Sequence, residues 1–130
     1  MKHNSNSTQQ PLVIWGASGH ARVVTDIVRL MGKYNIIGFL DNVDQRRKGT
    51  EFCGATILGG QEQLVQLRNN IVKHLIFGFG DCQARLALAS ISEQFGFELV
   101  TVIHPDATVA GDVTVGQGTV IMAGAVVNSA

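Results

Sequence analysis

A six-residue repeat occupies the C-terminal part of this sequence and restricts the folds available to it. An aliphatic residue recurs at every sixth position, at Val109, Val115, Ile121 and Val127. The fourth residue after each of the first three is small or β-branched, at Val113, Thr119 and Ala125. A strand face repeats about every 2 residues and a helix face about every 3.6, so neither explains this period. The repeat predicts a left-handed parallel β-helix, in which each hexapeptide forms one side of a triangular coil.

The repeat is short relative to the number of units that such folds require. Short repeats stack on one another, and several units are needed to bury a core. The four hexapeptides form little more than one coil, and the sequence ends at Ala130 within the repeat. We therefore expect the sequence to be an N-terminal piece of a longer protein.

Composition and charge exclude several classes of function. Lys and Arg total 10 and Asp and Glu total 10, so neither nucleic acid nor a membrane surface is an expected partner. No apolar run approaches the length of about 20 residues that spans a membrane, and the polar N-terminus lacks a signal-peptide core. We therefore expect a cytoplasmic protein. Cys53 and Cys82 form neither a metal-ligand pattern nor a disulfide framework, so we predict reduced thiols and no metal site.

Apolar strands alternate with amphipathic helices between a polar tail and the repeat. The predicted strands are 12–15, 36–40, 52–58, 74–77 and 99–103, and the predicted helices are 20–31, 61–69 and 82–95. In the last helix, Leu86, Ala89 and Ile91 are expected to face the core. The alternation implies an α/β fold with a parallel sheet and right-handed crossovers. We predict a disordered tail at 1–10, an α/β domain at 11–104 and the start of a β-helix at 105–130.

Three loops rich in glycine or acidic residues follow the strands of this predicted sheet. They are 16–20, 41–42 and 78–81, with the sequences GASGH, DN and GFGD. Ligands of parallel α/β sheets bind beyond the carboxyl ends of the strands, where these loops are expected to meet. This convergence is the main functional signal of the α/β part.

The first of these loops consists of Gly16, Ala17, Ser18, Gly19 and His20. Glycine lets the backbone turn sharply and approach a ligand closely, and the free N–H groups of a helix start suit a phosphate. The dinucleotide fingerprint G-x-G-x-x-G would require glycine at positions 18 and 21, so an NAD or FAD site is disfavoured. A tight turn without a ligand is the alternative interpretation.

Several polar residues at the same edge have two interpretations each. His20 either contacts a phosphate or sugar hydroxyl or caps the helix. Asp41 either contacts the ribose or base of a nucleotide, as acids at this position commonly do, or is a plain turn residue. Arg85 is either a surface residue or a ligand or interface residue. The basic run at 46–48 is expected to be a solvated loop.

Four blocks of the sequence together resemble one family. They are LVIWGASGHARVV at 12–24, IIGFLDN at 36–42, LIFGFGDCQAR at 75–85 and VIHPDATVAGDVTVGQGTVIMAGAVVNSA at 102–130. In this order, and with the fused repeat, they resemble the bacterial sugar O-/N-acyltransferases of the sialic acid O-acetyltransferase and pilin- or protein-glycosylation acetyltransferase type. The resemblance covers most of the sequence.

This resemblance implies a Rossmann-like domain that binds a nucleotide-linked amino sugar or a sialic-acid-like sugar. It implies a left-handed β-helix that follows this domain and assembles as a homotrimer. It also implies acetyl-CoA as co-substrate, bound between neighbouring β-helices, and a β-helix histidine as the general base. That histidine follows a segment like 126–128 in the family. The sequence ends before it, so no catalytic residue is assigned and most of the acetyl-CoA site is expected to be absent.

The substrate-binding roles of the family carry over by motif. Gly16, Ser18, Gly19 and His20 are expected to hold the phosphates of the sugar nucleotide, with Ala17 in the same loop. Asp41 and Asn42 are expected to contact the base or ribose. The residues expected to line the cleft are Gly78, Gly80 and Asp81.

The resulting prediction is the substrate-binding part of an acetyl-CoA-dependent acetyltransferase, inactive by itself. One alternative is a non-catalytic sugar-nucleotide-binding or regulatory module whose β-helix serves only for trimerisation. A less favoured alternative is an NAD-dependent oxidoreductase domain. The identity of the sugar, O- versus N-acetylation and the oligomeric state of this piece stay open.

Overall fold

The structure, a computed structural model, describes residues 9–128. The strands within this range are β1 (Gln10–Trp15), β2 (Tyr34–Leu40), β3 (Glu51–Phe52), β4 (Ala55–Gly59), β5 (His74–Phe77), β6 (Glu98–Leu99), β7 (Val102–Ile103), β8 (Thr108–Val109), β9 (Val120–Ile121) and β10 (Val126–Val127). The helices are α1 (Gly19–Met31), α2 (Leu64–Asn69) and α3 (Cys82–Gln94). Most of the predicted tail lies outside the described residues, and β1 already begins at Gln10.

A sheet of six strands forms the centre of the fold, in the order β3-β4-β2-β1-β5-β6. Its neighbouring strands are parallel except β3 and β4, which form an antiparallel hairpin at one edge. The central strand is β1, whose last residue Trp15 is in register with Leu40 of β2 and Phe77 of β5. These three strands end at one level, so the loops after them meet. The predicted α/β fold with a mainly parallel sheet is confirmed.

The side chains of β1 alternate between two hydrophobic cores, one on each face of the sheet. Leu12 and Ile14 belong to the core that includes the buried face of α1. Val13 and Trp15 belong to the opposite core, with side chains of α2 and α3. All four are buried, and burial of each stabilises the fold by about 1.5–3 kcal/mol. A strand covered on both faces requires a continuous apolar run, which explains the sequence LVIW.

Helix α1 packs against the sheet through one apolar stripe. Val24, Ile27 and Val28 are buried, as the helical periodicity predicts. Leu30, at the margin of the stripe, is 59% exposed. The helix ends at Gly32, whose φ of 70° is a left-handed conformation that glycine adopts without strain.

The segment predicted as one strand at 52–58 is a hairpin instead. Its turn contains Cys53 and Gly54, with φ values of 49° and 82°, and β3 pairs with β4 across it. Arg29 of α1 donates a hydrogen bond of 2.6 Å to the Cys53 carbonyl, which fastens the turn to the helix. The sequence pattern missed this turn because a residue other than glycine rarely adopts a left-handed conformation.

Helix α3 covers the second core incompletely. Ala89 and Ile91 pack against that core, as expected, but Leu86 is 75% exposed, so the prediction that it faces the core is wrong. Leu86 instead lines an open groove beside α3, together with Phe77 and Leu99.

The segment predicted as one strand at 99–103 is divided between the sheet and the repeat. β6 pairs with β5, whereas β7 pairs with β9 in parallel, with Ile103 opposite Ile121. β8 and β10 pair in the same way, with Val109 opposite Val127. Both pairs join residues 18 positions apart, which is three hexapeptides. The chain therefore returns to the same place after three repeats, and Ile103 is an earlier member of the aliphatic series.

The aliphatic residues of the repeat lie on the less exposed side of this turn of chain. Ile121 is buried, and Val109, Val115 and Val127 are half-buried. The residues that precede Val109 and Val127 are exposed. At the start of the repeat, His104 accepts a hydrogen bond of 2.9 Å at Nδ1 from the Asp106 N–H.

A small polar cluster lies at the opposite edge of the sheet, where the strands begin. The His74 ring makes an edge contact with the Tyr34 ring at 5.7 Å between centroids. Its Nδ1 is buried without a hydrogen-bond partner and lies 3.7 Å from the Glu98 carboxylate. Burial lowers the pKa of His74, although the charge of Glu98 acts in the opposite direction. Burial also raises the pKa of the Tyr34 phenol.

Two glycines of the loop after β5 should differ in their tolerance of a side chain. A Cβ added to Gly78 would lie 2.8 Å from the Ala21 Cβ and 3.0 Å from the Ile14 side chain, so Gly78→Ala should lower the free energy of unfolding by about 1–3 kcal/mol. A Cβ added to Gly80 meets nothing within 4 Å, so Gly80→Ala should leave stability unchanged or raise it by up to about 1 kcal/mol. Urea denaturation measures both, and equal effects would contradict the packing described.

Stability should fall as the pH falls through the ordinary pKa of histidine. Folded His74 binds a proton less readily than unfolded His74, whose pKa is about 6.5. The unfolded state therefore takes up more protons below that pH, and the free energy of unfolding decreases. His74→Phe should remove this part of the pH dependence, as measured by urea denaturation between neutral and mildly acidic pH. An unchanged pH slope in the variant would assign the effect to other groups.

Candidate functional site

Backbone hydrogen bonds join the loops that follow the central strands. Gly16 N–H donates to the Leu40 carbonyl at 2.7 Å, and Gly78 N–H donates to the Trp15 carbonyl at 2.8 Å. Asp41 N–H donates to the carbonyl of Gly59, the last residue of β4, at 2.7 Å. The three loops predicted to converge therefore form one edge of the sheet, together with the end of β4.

Two glycines at this edge are required by the close approach of the loops. Gly16 has a φ of 131°, and a Cβ added there would lie 2.7 Å from the Gly78 carbonyl oxygen. The corresponding atom on Gly78 would collide with α1. These glycines therefore have a structural explanation that needs no ligand.

The next residues of the first loop leave the start of α1 open. Ser18 is the N-cap in an extended conformation, and its side chain makes no capping hydrogen bond. Gly19 has neither a positive φ nor an atom within 4 Å of an added Cβ. Ser18 and Gly19 are exposed, His20 is half-buried, and the first turn contains no acidic residue. The N–H groups and positive end of the helix dipole can therefore receive an anion here.

Asp41 is buried and already engaged in hydrogen bonds. Only 8% of its surface is exposed. Its Oδ1 accepts hydrogen bonds from the N–H groups of Val43 and Asp44, at 2.8 and 3.4 Å. Its Oδ2 lies 3.2 Å from Nη1 of Arg47. The structure thus places Asp41 beside the cleft, with both oxygens bound to the protein.

Arg47 also lies at this edge, although the sequence pattern did not indicate it. Its Nη1 also donates a hydrogen bond of 2.7 Å to the Ala17 carbonyl in the first loop. Its side chain is 36% exposed, whereas that of its neighbour Arg46 is 91% exposed, so the expectation of a solvated basic run holds for Arg46 and is wrong for Arg47. One signal for this contact was the position of Asp41 directly after an apolar strand. A carboxylate buried at such a position requires a partner.

The ring of Phe52 lies against two arginine side chains next to this loop. The guanidinium carbons of Arg22 and Arg47 lie 4.8 and 5.5 Å from the centroid of the Phe52 ring. Phe52 meets Phe39 of the sheet edge-on, with centroids 4.9 Å apart. The β3–β4 hairpin is thereby fixed against α1 and the first loop.

A small cavity of about 90 Å³ lies beside the end of β4, with Asp41, Gly60 and Glu62 among its lining residues. Glu62 accepts a hydrogen bond of 3.0 Å from the Gly60 N–H, which lowers the pKa of the Glu62 carboxyl. Asn42 is turned toward the same segment, and its Oδ1 accepts a hydrogen bond of 2.8 Å from the Gln61 N–H. This cavity is also lined by Asp44, Gln45 and Lys48.

The loop after β5 forms the opposite wall. Gly80 is exposed and open. Asp81 caps α3, because its Oδ1 accepts a hydrogen bond of 3.1 Å from the Ala84 N–H. The predicted lining residues are therefore present at the edge, and the Asp81 side chain has a structural role there.

A larger groove of about 330 Å³ lies between α3 and the repeat. Phe77, Leu86 and Leu99 contribute apolar surface to its lining. Arg85 crosses it and donates a hydrogen bond of 3.0 Å to the Gly118 carbonyl. Of the two interpretations of Arg85, this contact supports an interface residue that ties α3 to the repeat.

In residues 9–128, no group of three or more His, Cys, Asp and Glu side chains could hold a metal ion. No helix in the described range is long and apolar enough to cross a membrane.

Comparison with known proteins identifies the family. Residues 11–91 match the family described as the PglD N-terminal domain. Among curated proteins, no significant match is found. The solved structure of a perosamine N-acetyltransferase variant from Caulobacter crescentus, in complex with CoA and GDP-perosamine, has a TM-score of 0.80 and 32% identity. That match covers 92% of this chain and 54% of that chain.

Two further structures show how far the similarity extends. The acetyltransferase domain of PglB from Neisseria gonorrhoeae FA1090, in complex with acetyl coenzyme A, has a TM-score of 0.78 and 32% identity, over 91% of this chain and 55% of that chain. UDP-D-quinovosamine 4-dehydrogenase from Vibrio fischeri has a TM-score of 0.57 and 17% identity, over 75% of this chain and 81% of that chain, and shares the fold alone.

This chain spans about half the length of the two acetyltransferase structures. The resemblance inferred from the sequence motifs is confirmed by the family match and by the two similarities at 32% identity. The chain belongs to the bacterial sugar acetyltransferase family that carries the PglD N-terminal domain, and it corresponds to the N-terminal portion of these proteins.

Proposed function

We propose that this chain is the substrate-binding part of an acetyl-CoA-dependent acetyltransferase that acts on a nucleotide-linked amino sugar. The observation that carries the proposal is the open start of α1. Gly19 is exposed at the carboxyl edge of the sheet, and neither its φ nor its packing requires a glycine. A close approach of ligand phosphates to the backbone explains the missing side chain. The solved structure with GDP-perosamine, at 32% identity, supports the class of ligand.

The proposed ligand extends along the edge of the sheet. Its phosphates lie against the loop from Gly16 to His20, where the helix start supplies N–H donors. Its base is proposed to lie at the cavity beside Asn42 and Gly60. The segment from Gly78 to Asp81 lines the side toward the repeat, so the sugar would point to that side.

The repeat is proposed to be the first coil of a left-handed β-helix. The return of the chain after 18 residues supports this, because three hexapeptides make one triangular coil. The homotrimer and an acetyl-CoA site between neighbouring β-helices are parts of the same proposal, and they depend on the family resemblance. The cytoplasm is the proposed location, since both cysteines are free thiols.

The proposed reaction is transfer of an acetyl group to the sugar amine or hydroxyl. The nucleophile attacks the thioester carbon, a C–N or C–O bond forms, and the C–S bond breaks to release CoA. A histidine of the β-helix accepts the proton of the nucleophile, and backbone N–H groups stabilise the oxyanion. The contribution of this chain is to bind and orient the sugar nucleotide, and none of its described residues is assigned as the base.

Binding of GDP- and UDP-linked amino sugars should depend on the open space at Gly19. Gly19→Val should weaken calorimetrically measured binding by at least about tenfold, or about 1.4 kcal/mol, because its side chain occupies the place of a phosphate. Gly111→Val is the matched control, since an added Cβ at Gly111 also meets nothing within 4 Å but that residue lies in the repeat.

Equal affinity in the wild type and the Gly19→Val variant would contradict the assignment of this loop as the phosphate site. A titration with NADH separates the oxidoreductase alternative, which requires NADH to bind more tightly than the sugar nucleotides. Ser18 and Ala21 occupy glycine positions of the dinucleotide fingerprint, so weak or absent NADH binding is expected.

A further inference from the structure

We propose that Asp41 and Arg47 form a positioning pair that fixes the backbone of the Gly16–His20 loop, and that neither side chain contacts the ligand directly. This inference rests on the proposed function, because the loop is the proposed phosphate site. It replaces the expectation that Asp41 contacts the ribose or base. The pair joins three separate segments: the loop after β1, the end of β2 and the segment before β3.

The first argument is the occupancy of the Asp41 carboxylate. Its two oxygens accept hydrogen bonds from Val43 N–H, Asp44 N–H and Arg47 Nη1. The residue is 8% exposed, so a ribose hydroxyl would have to displace one of these donors to reach it. Removal of the Arg47 partner would leave a buried charge without compensation.

The second argument is the contact of Arg47 with the first loop. Its Nη1 lies 2.7 Å from the Ala17 carbonyl oxygen and 3.2 Å from Asp41 Oδ2. The peptide between Ala17 and Ser18 is planar and trans, so its C=O and N–H groups point in opposite directions. A fixed Ala17 carbonyl therefore fixes the direction of the Ser18 N–H, immediately before α1.

The third argument is the support of the guanidinium itself. The Phe52 ring lies 5.5 Å from the guanidinium carbon of Arg47 and is held edge-on by Phe39. Stacking on an aromatic face and pairing with a carboxylate together restrict a long side chain to one orientation. Arg47 is thereby organised before any ligand binds, which lowers the entropic cost of ordering the loop.

The test measures GDP and guanosine binding by calorimetry in Arg47→Gln, Asp41→Asn and the double variant. Each single change should weaken GDP binding about 10- to 100-fold, because misplaced loop donors contact the phosphates poorly. Guanosine affinity should fall much less than GDP affinity, since guanosine carries no phosphate. The double variant should bind GDP no more weakly than the weaker-binding single variant, because both substitutions remove the same Asp41–Arg47 pair.

Two further variants separate positioning from charge alone. Arg47→Lys should recover part of the GDP affinity, since an ammonium group can donate to both Ala17 O and Asp41 Oδ2. Arg46→Gln is the matched control, because Arg46 is the adjacent basic residue and its side chain is 91% exposed. It should bind GDP as the wild type does.

Other outcomes would overturn the pair. Additive losses in the double variant, or a loss with Asp41→Asn but none with Arg47→Gln, would show direct contact of Asp41 with the ligand. Equal losses for GDP and guanosine would indicate general unfolding of the site rather than positioning of the loop.

Hydrogen exchange of the ligand-free protein tests the pair independently of the proposed function. In the Arg47→Gln variant, the Arg22 amide, which donates a hydrogen bond of 3.2 Å to the Ser18 carbonyl, should exchange faster, and the Ile76 amide in β5 should keep its protection. Unchanged exchange at Arg22 would refute positioning even if nucleotides bind. If exchange is faster in the variant but the wild type binds no nucleotide, the positioning role of the pair is supported and the proposed ligand is contradicted.

Discussion

The structure depends on the two-sided pairing of β1. This strand forms hydrogen bonds with β2 on one side and β5 on the other, and its apolar side chains enter both cores. Its last residue, Trp15, is in register with Leu40 and Phe77, the last residues of β2 and β5. The loops after these three strands therefore begin side by side at one edge of the sheet. The convergence of the loops is therefore a consequence of how the core is built, and the site needs no separate scaffold.

The glycines of this edge separate into those required by the fold and those that leave space. Gly16 and Gly78 allow two loops to come into contact. A side chain on Gly16 would collide with the backbone of Gly78, and one on Gly78 would collide with α1. Gly19 and Gly80 have open surroundings. Packing explains the first pair completely. The second pair leaves room at this edge for the ligand proposed above.

Arg47 illustrates what a local pattern cannot provide. In sequence it belongs to a basic run that resembles any solvated loop, and Arg46 beside it is indeed exposed. Its partners, Ala17 and Asp41, come from two other segments that only the folded sheet brings near it. The division of the strand predicted at 99–103 has the same origin, because the partner of β7 is β9, a strand of the repeat.

The sequence by itself determined the parallel α/β fold, the edge that carries the glycine loops and the family, because these follow from apolar periodicity and contiguous motifs. It also determined the period of the repeat. The folded chain alone shows that Asp41 is bonded to Arg47 and that Arg85 joins α3 to the repeat. In each contact, the two groups lie in different segments that come together only in the folded chain. The sequence around a charged side chain does not indicate which of several possible partners it will contact.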